Sequence, residues 1–130
     1  MDFTFKKEER LCGKKAIDVL FAQGKSKTQF PLKVMYKISV FDSPFPVRAM
    51  FVVPKKKHKR ANKRNILKRR MRELYRLNKH NLYESLSGVQ LDIMFIFLSS
   101  DEFEYKDIEK NMCSLLKTLS ELDFFSAKKE

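Results

Sequence analysis

Basic side chains dominate the chemistry that this sequence offers, and their excess charge lies in one segment. The 130-residue chain has a formal net charge of +12. Between Lys55 and Lys79 there are thirteen Lys or Arg residues and one acid, Glu73, so this segment alone accounts for the net charge. Such a segment favours a polyanionic partner, because each phosphate that a basic side chain neutralises releases condensed counterions. The charge pattern therefore indicates that the chain binds nucleic acid.

Groups that could catalyse a reaction without such a partner are scattered along the chain. Cys12 and Cys113 lie near opposite ends, and His58 and His80 are distant from both thiols in sequence. No CxxC pair is present, so the spacing does not predict a structural zinc site. A protein-only nuclease would need clustered carboxylates or a histidine base in a pocket, and the sequence offers neither. We expect no catalytic residue and no metal ligand in the chain.

Hydrophobic spacing places the basic segment on an amphipathic helix. A lysine-rich loop over residues 55–59 precedes a predicted helix from about Arg60 to Lys79. At about 100° per residue, one side of this helix is apolar. The apolar side comprises Leu67, Met71 and Leu74, flanked by Ile66 and Leu77. The other side carries Asn65, Lys68, Arg69, Arg72 and Arg76, with Arg64 at its margin. Solvated helices commonly interleave acids with bases, so a face with Glu73 as its one acid favours a bound polyanion over solvent or a membrane surface.

The remaining elements must position that helix. Apolar spacing predicts a first helix over residues 13–23, with Gly24 in the left-handed conformation after its end. Alternation predicts strands over 33–40 and 47–53, paired as an antiparallel hairpin, and the apolar run 91–98 predicts a strand buried on both faces. A final helix is expected to end near Phe125. It follows the acids Asp101, Glu102, Glu104 and Asp107 and bears the apolar stripe Ile108, Met112, Leu115, Leu116, Leu119 and Leu122.

Length and composition predict one domain over residues 1–130, with enough apolar content for an ordinary core. We expect no signal peptide and no membrane span, and hence a cytoplasmic protein with reduced thiols.

The basic helix resembles the signature helix of the bacterial ribonuclease P protein subunit. Residues 63–73 read Lys-Arg-Asn-Ile-Leu-Lys-Arg-Arg-Met-Arg-Glu, and the family carries an Arg-Asn-Arg core followed by apolar-Lys-Arg and Arg-Glu. The resemblance covers roughly residues 8–98. It includes Arg10-Leu11, Phe21 before Gly24, Phe30-Pro31-Leu32 and the run from Phe51 to Lys56. Ile66 departs from the third core position, where Arg70, one turn later, could present a guanidinium instead. Asn62 and Ile17 also replace residues common in the family.

The resemblance implies a fold and a function. The implied fold is an α/β (α+β) two-layer sandwich, with a four-stranded, mostly antiparallel sheet, three helices and a left-handed βαβ crossover formed by the basic helix. The implied function is that of the protein subunit of ribonuclease P, an endoribonuclease whose catalytic centre is RNA. This subunit binds the catalytic RNA and holds the 5′ leader of precursor tRNA in a cleft between the first helix and the sheet. The complex removes that leader to give the mature tRNA 5′ end.

Site residues transfer from the family position by position. The residues expected to bind the RNA subunit are Lys55, Lys56, Arg60, Arg64, Asn65, Lys68, Arg69 and Arg72. The residues expected to bind the leader are Phe21, Lys33, Met35, Tyr36 and Lys37. Strict alternation puts Met35 and Tyr36 on opposite faces of their strand, so either of these two residues could line the cleft.

The expected partners are ribonuclease P RNA and precursor tRNA, with no membrane and no obligate protein partner. Magnesium is expected to be held mainly by the RNA subunit and the substrate. The alternative is a non-catalytic basic RNA-binding protein of the ribosome or of RNA assembly, which would explain the charge but not the ordered match to the signature helix.

Overall fold

A computed structural model of the chain describes residues 4–86, 88–101 and 103–122. A short 3₁₀ turn, Lys7–Glu9, precedes the first α-helix. The helices are α1 (Lys14–Gln23), α2 (Ala61–Asn78), α3 (His80–Ser85) and α4 (Tyr105–Ser120), and the strands are β1 (Lys25–Gln29), β2 (Leu32–Ser39), β3 (Val47–Val52) and β4 (Gln90–Phe97). Three of the helices match predicted ones. The short α3 was not predicted, and the predicted end near Phe125 lies outside the described residues.

The four strands form one sheet in the order β1-β2-β4-β3. The β1/β2 and β2/β4 pairs are antiparallel, and β3 pairs with β4 in parallel. The predicted hairpin between the strands at 33–40 and 47–53 is therefore wrong, because β4 lies between them. Helix α2 is part of the connection from β3 to the parallel β4, as the resemblance implies. A mostly antiparallel sheet with helices is confirmed.

Strand β1 escaped prediction because its sequence, Lys-Ser-Lys-Thr-Gln, has no apolar alternation. All five of its side chains are exposed on the outer edge of the sheet. Its place in the sheet comes from backbone pairing with β2, which its side-chain pattern does not indicate.

The two faces of the sheet bury different clusters. On one face, β2 residues Val34 and Tyr36 and β4 residues Ile93 and Phe95 pack with the apolar stripes of α2 and α4. This is the larger core. On the other face a smaller core contains Leu11, Leu20, Met35 and Met94, under α1. Alternate residues of β2 and β4 thus divide between the two cores, as a period of two requires.

Gly24 ends α1 with an extended backbone, φ −72° and ψ 154°, and so the predicted left-handed conformation is wrong. A glycine is needed at this position for a different reason. A Cβ at this position would lie 2.4 Å from the carbonyl oxygen of Leu20 and 3.3 Å from that of Tyr36. The chain turns from α1 into β1 so close to its own backbone that a side chain does not fit.

Within the described ranges, none of the helices combines the length and the apolar character that crossing a membrane requires.

Candidate nucleic-acid interface

Helix α2 presents its basic side chains outward, as the helical wheel predicts. Asn65, Lys68, Arg69 and Arg72 are all exposed. The one acid of this face, Glu73, lies 3.8 Å from a guanidinium nitrogen of Arg76, a long contact that leaves most of the positive charge on the surface. The outer face can therefore donate several charge-assisted hydrogen bonds to phosphate oxygens.

The inner face of α2 holds the helix against the sheet. Leu67, Met71 and Leu74 are buried in the larger core, and Tyr75 is buried beside them. Ile66 and Leu77, predicted to flank this face, remain 39% and 40% exposed. Burial of this stripe fixes which way the basic side chains point, so the core positions the interface.

Side-chain hydrogen bonds from two residues, Arg64 and His58, hold the lysine loop in place. One Arg64 guanidinium nitrogen donates to the carbonyl oxygens of His58 at 2.9 Å and Lys59 at 2.8 Å. The buried His58 donates from Nε2 to the carbonyl oxygen of Ser99 at 2.8 Å, so Nε2 carries a hydrogen. Arg64, predicted to bind RNA, thus also holds the loop that precedes its helix.

That anchored loop displays further predicted RNA-binding residues. Lys55, Lys56 and Arg60 are exposed, and a turn closes the loop through the Lys57 N–H, which donates to the Pro54 carbonyl at 3.0 Å. The loop leads directly into α2, and the eight residues predicted to bind the RNA subunit all lie at exposed or half-buried positions of the loop and the helix. We call this set the basic face: Lys55, Lys56, Arg60, Arg64, Asn65, Lys68, Arg69 and Arg72.

Lys79, the last base of the segment, does not belong to the basic face. Its Nζ is buried, where it donates to a carboxylate oxygen of Glu9 and to the carbonyl of Thr4. The other Glu9 oxygen accepts the Lys6 N–H at 2.8 Å. Lys79 therefore joins the N-terminal segment to the end of α2. From the sequence, the charge of Lys79 was counted with the basic segment, because no local pattern shows that Lys79 pairs with the distant Glu9.

Two tyrosines complete this buried polar network. The Tyr83 hydroxyl donates to Glu9 Oε1 at 2.7 Å, so the 3.0 Å contact between the two hydroxyls requires Tyr75 to donate to Tyr83. Burial raises the pKa of Tyr75 far above its ordinary value, and the nearby Glu9 charge adds to this increase. Burial likewise raises the pKa of Tyr83, helped by Tyr75 and by the hydrogen bond to Glu9. Both phenols are thus held neutral.

A cleft opens on the other side of the sheet, between α1 and the strands. It has a volume of about 400 Å³. Its lining includes Cys12, Lys15, Lys37, Ser39, Arg48 and Asp92. Strand register places Lys37 beside Asp92 and Asp92 beside Arg48, and Arg48 forms a bidentate pair with Asp92 at 2.7 and 2.8 Å. With its one carboxylate paired, this floor keeps a net positive charge.

Of the five predicted leader residues, Lys37 lines this cleft, and the other four lie elsewhere on α1 and β2. Lys33, Met35 and Lys37 occupy alternate positions of β2 on the α1 side, and Lys37 lines the cleft. Met35 is buried under α1, and Phe21 of α1 is 55% exposed. Tyr36 lies in the larger core, on the opposite face. The structure thus brings Met35, and not Tyr36, to the α1 side of the sheet.

Sequence reasoning missed Lys15 and Arg48 as cleft residues. Arg48 occupies a strand position whose parity could have revealed it, since the inward Val47 and Ala49 flank it. The missing information was the position of β4 between β2 and β3, which places Asp92 between Lys37 and Arg48 and which the predicted hairpin excluded.

Arg70 shares a surface depression with Ile66, His58, Lys63 and Leu67. Arg70 therefore lies one helical turn from Ile66, the position that departs from the family core, at the edge of the same depression. Within the described ranges, no group of three or more His, Cys, Asp or Glu side chains is arranged to hold a metal ion.

The amino-acid sequence is similar to those of known proteins over the part of the chain that forms these helices and strands. A family model named Ribonuclease P matches residues 5–120. A ribonuclease P protein component from Porphyromonas gingivalis is 35% identical over 112 residues, which are 85% of this chain and 82% of that protein. One from Chlorobium phaeobacteroides is 36% identical over 106 residues, covering 73% of this chain and 72% of that protein.

Solved structures agree with the fold. The ribonuclease P protein from Thermotoga maritima superposes with a TM-score of 0.69 at 26% identity and covers 85% of this chain and 96% of its own. The Staphylococcus aureus protein superposes with a TM-score of 0.68 at 20% identity, with coverages of 85% and 94%, which shows likeness of fold.

Proposed function

The chain belongs to the ribonuclease P protein family, and from this membership we propose that it binds the catalytic RNA through the basic face and the 5′ leader of precursor tRNA through the α1 cleft. It is the protein component of an endoribonuclease whose catalytic centre is in the RNA. In this proposal the protein alone does not cleave, and its work is to bind and position two RNAs.

The separation of two positive surfaces carries this proposal. The basic face lies on the outside of α2, which covers one side of the sheet, and the cleft lies on the side covered by α1. One RNA could therefore occupy the basic face while another lies in the cleft. A general RNA scaffold has no need of a second positive surface across the sheet.

The cleft and the neighbouring surface of α1 and β2 offer contacts suited to a single strand. Lys37 and Lys15 supply charge for backbone phosphates, and Lys33 lies further along the same face of β2. Phe21, exposed on α1, offers a ring on which an unpaired base can stack. Stacking tolerates any base, because every base has a π-face, which suits leaders of differing sequence.

Magnesium belongs to the RNA part of the proposal. Phosphoryl transfer needs metal ions that stabilise the attacking and leaving oxygens, and in this proposal RNA phosphates hold them. The protein's own contribution is to neutralise phosphates of two RNAs that would otherwise repel each other. This lowers the magnesium concentration that assembly requires.

Reconstitution tests the function. The purified protein, a bacterial ribonuclease P RNA and end-labelled precursor tRNA are combined at low magnesium. We expect little cleavage with either component alone and efficient release of the leader with both. Cleavage by the protein alone would indicate a nuclease, and no stimulation of the RNA would favour the RNA-assembly alternative.

A charge-matched pair of double variants tests the basic face. Arg69→Ala with Arg72→Ala should weaken RNA-subunit binding and reduce the slope of log affinity against log salt by up to about two, near one for each phosphate that is no longer neutralised. Lys106→Ala with Lys110→Ala removes the same charge from the exposed side of α4 and should leave the slope nearly unchanged. Equal effects would show that net charge matters rather than this surface. Arg64 is a poorer choice, because its removal also frees the lysine loop.

A further inference from the structure

The N-terminal segment and α2 together form a notch that the sequence did not indicate. It has a volume of about 390 Å³. Its lining is Phe5, Arg10, Arg69, Arg72, Glu73 and Arg76. Four arginines and one glutamate thus line one concave surface. We propose that this notch binds a backbone phosphate of the RNA subunit, with Arg10 as a binding residue supplied from outside the basic segment.

The charge balance of the notch favours an anion. Glu73 contacts Arg76 at 3.8 Å, which offsets part of one guanidinium's charge and leaves a net positive notch. Arginine suits this role, because its planar fork can bind two phosphate oxygens in parallel. A single phosphodiester is therefore the ligand chemistry that fits, rather than an apolar group or a cation.

The segment that carries Arg10 is held firmly in place. The Phe5 ring packs edge-on against Phe51 and Tyr75, with centroids 5.8 Å apart in both cases. The Leu11 N–H donates to the Ala49 carbonyl at 2.8 Å, and Glu9 forms the buried pair with Lys79. Contacts on both sides of Arg10 thus fix its backbone, and its guanidinium lies over the Phe5 ring at 5.5 Å.

The location of the notch selects the RNA subunit over the leader. Arg69 and Arg72 belong to the basic face on α2, whereas the leader cleft lies under α1 on the other side of the sheet. A phosphate in the notch would therefore belong to the same RNA as those on the basic face. This inference rests on the proposed function and extends its RNA-subunit site to the N-terminal segment.

The test measures the affinity of the full-length protein for ribonuclease P RNA over a range of salt concentrations. Arg10→Ala should weaken binding about tenfold and reduce the salt slope by about one, and Arg10→Lys should recover part of the affinity. Lys7→Ala, which removes an exposed charge from the same segment, is the matched control and should change neither. Thermal unfolding of each variant, expected to match the wild type, separates weakened binding from impaired folding.

A double-mutant cycle decides whether Arg10 and Arg72 share one phosphate. If they do, the combined loss should be smaller than the product of the separate losses by at least about threefold. The control cycle pairs Arg10→Ala with Lys56→Ala, in the loop before α2, and should be multiplicative. Multiplicative behaviour in both cycles would overturn the shared site.

The remaining outcomes separate this inference from the proposed function. If the wild type binds the RNA and Arg10→Ala binds equally well with an unchanged slope, the notch is not a binding site and the proposed function stands. If Arg10→Ala instead weakens only precursor tRNA binding to the assembled complex, the assignment to the RNA subunit is wrong. If the wild type does not bind the RNA, the proposed function itself fails.

Discussion

The two faces of the sheet differ in how completely they are covered, and this difference separates stability from binding. Under α2 and α4, the larger core seals one face with fully buried side chains such as Phe95, Phe97 and Tyr75. Under α1, the smaller core covers only part of the other face and leaves the charged cleft beside it. The sealed face gives rigid support to the basic helix, and the open face leaves a positively charged cleft accessible, which in the proposed function holds the leader.

Polar groups follow the same division. At the edge of the larger core, Glu9, Lys79 and the two tyrosines form a closed network in which each buried group has a partner. In the cleft, the Arg48 and Asp92 pair lies beside Lys37, whose Nζ contacts the Ile38 carbonyl at 3.1 Å. Substitutions in the network should therefore change stability, and substitutions in the cleft should change substrate binding.

The largest expected effect is the loss of Lys79. Lys79→Met keeps most of the side-chain volume but leaves the buried Glu9 carboxylate without its cation. We expect the free energy of unfolding, measured by urea titration, to fall by about 3–5 kcal/mol. Lys7→Ala, at an exposed position, should change it by less than about 0.5 kcal/mol. A Lys79→Met protein as stable as the wild type would mean that the buried pair does not hold the N-terminal segment.

The next largest effect should appear at alkaline pH. Burial raises the pKa values of Tyr75 and Tyr83 in the folded protein, whereas the unfolded phenols ionise near pH 10. Their contribution to stability is thus complete below about pH 10 and is lost as the pH rises further, at up to about 1.4 kcal/mol per pH unit for each tyrosine.

Urea titrations between pH 8 and pH 11 measure this loss. Tyr83→Phe should reduce stability at neutral pH, because its hydrogen bond to Glu9 is removed, but the decline above pH 10 should be shallower than in the wild type. Tyr105→Phe is the comparison: this tyrosine is 38% exposed, its pKa is also raised by partial burial, and its loss should change the decline less than the loss of Tyr83 does. Parallel curves for the wild type and Tyr83→Phe would show that the Tyr83 phenol is not protected by folding.

A smaller effect, confined to function, is expected on the open face. Phe21→Ala should weaken binding of precursor tRNA to the assembled complex by about 1–3 kcal/mol, the usual value of one stacked base. Affinity for the RNA subunit and stability should not change. Phe30→Ala, at a phenylalanine that is 61% exposed on the β1–β2 turn, is the matched control. Equal losses for both variants would indicate a general effect of removing surface aromatics.

The elements of the sealed face that depend on local periodicity could be predicted from the sequence. The stripes of α2 and α4 and the buried strand β4 follow from repeats of 3.6 and from an apolar run, and the resemblance named the family from residues 63–73. The order of the strands could not be predicted in this way. Neighbouring strands in sequence usually pair, but β4 lies between β2 and β3 because the connection through α2 returns the chain to the middle of the sheet.

Interactions between residues far apart in the chain could not be predicted from the sequence either. Glu9 and Lys79 pair across 70 residues of the chain, and Arg10 lines the same notch as Arg72 only after the N-terminal segment docks on the core. Each of these residues looks like an ordinary surface charge in sequence. Their positions arise from the fold alone, so the sequence counted the charge of Lys79 with the basic segment and did not place Arg10 beside α2.

The smallest expected effect tests the division at two adjacent residues of β2. Tyr36→Phe should leave precursor tRNA affinity within about twofold of wild type, because the ring lies in the larger core and its pKa is raised by burial there. Lys37→Ala, one residue along and on the cleft side, should weaken the same affinity several-fold and reduce its salt dependence. If Tyr36→Phe weakened leader binding more than Lys37→Ala while stability was unchanged, the hydroxyl would have to reach the substrate. The leader would then lie on the opposite side of β2 from the cleft.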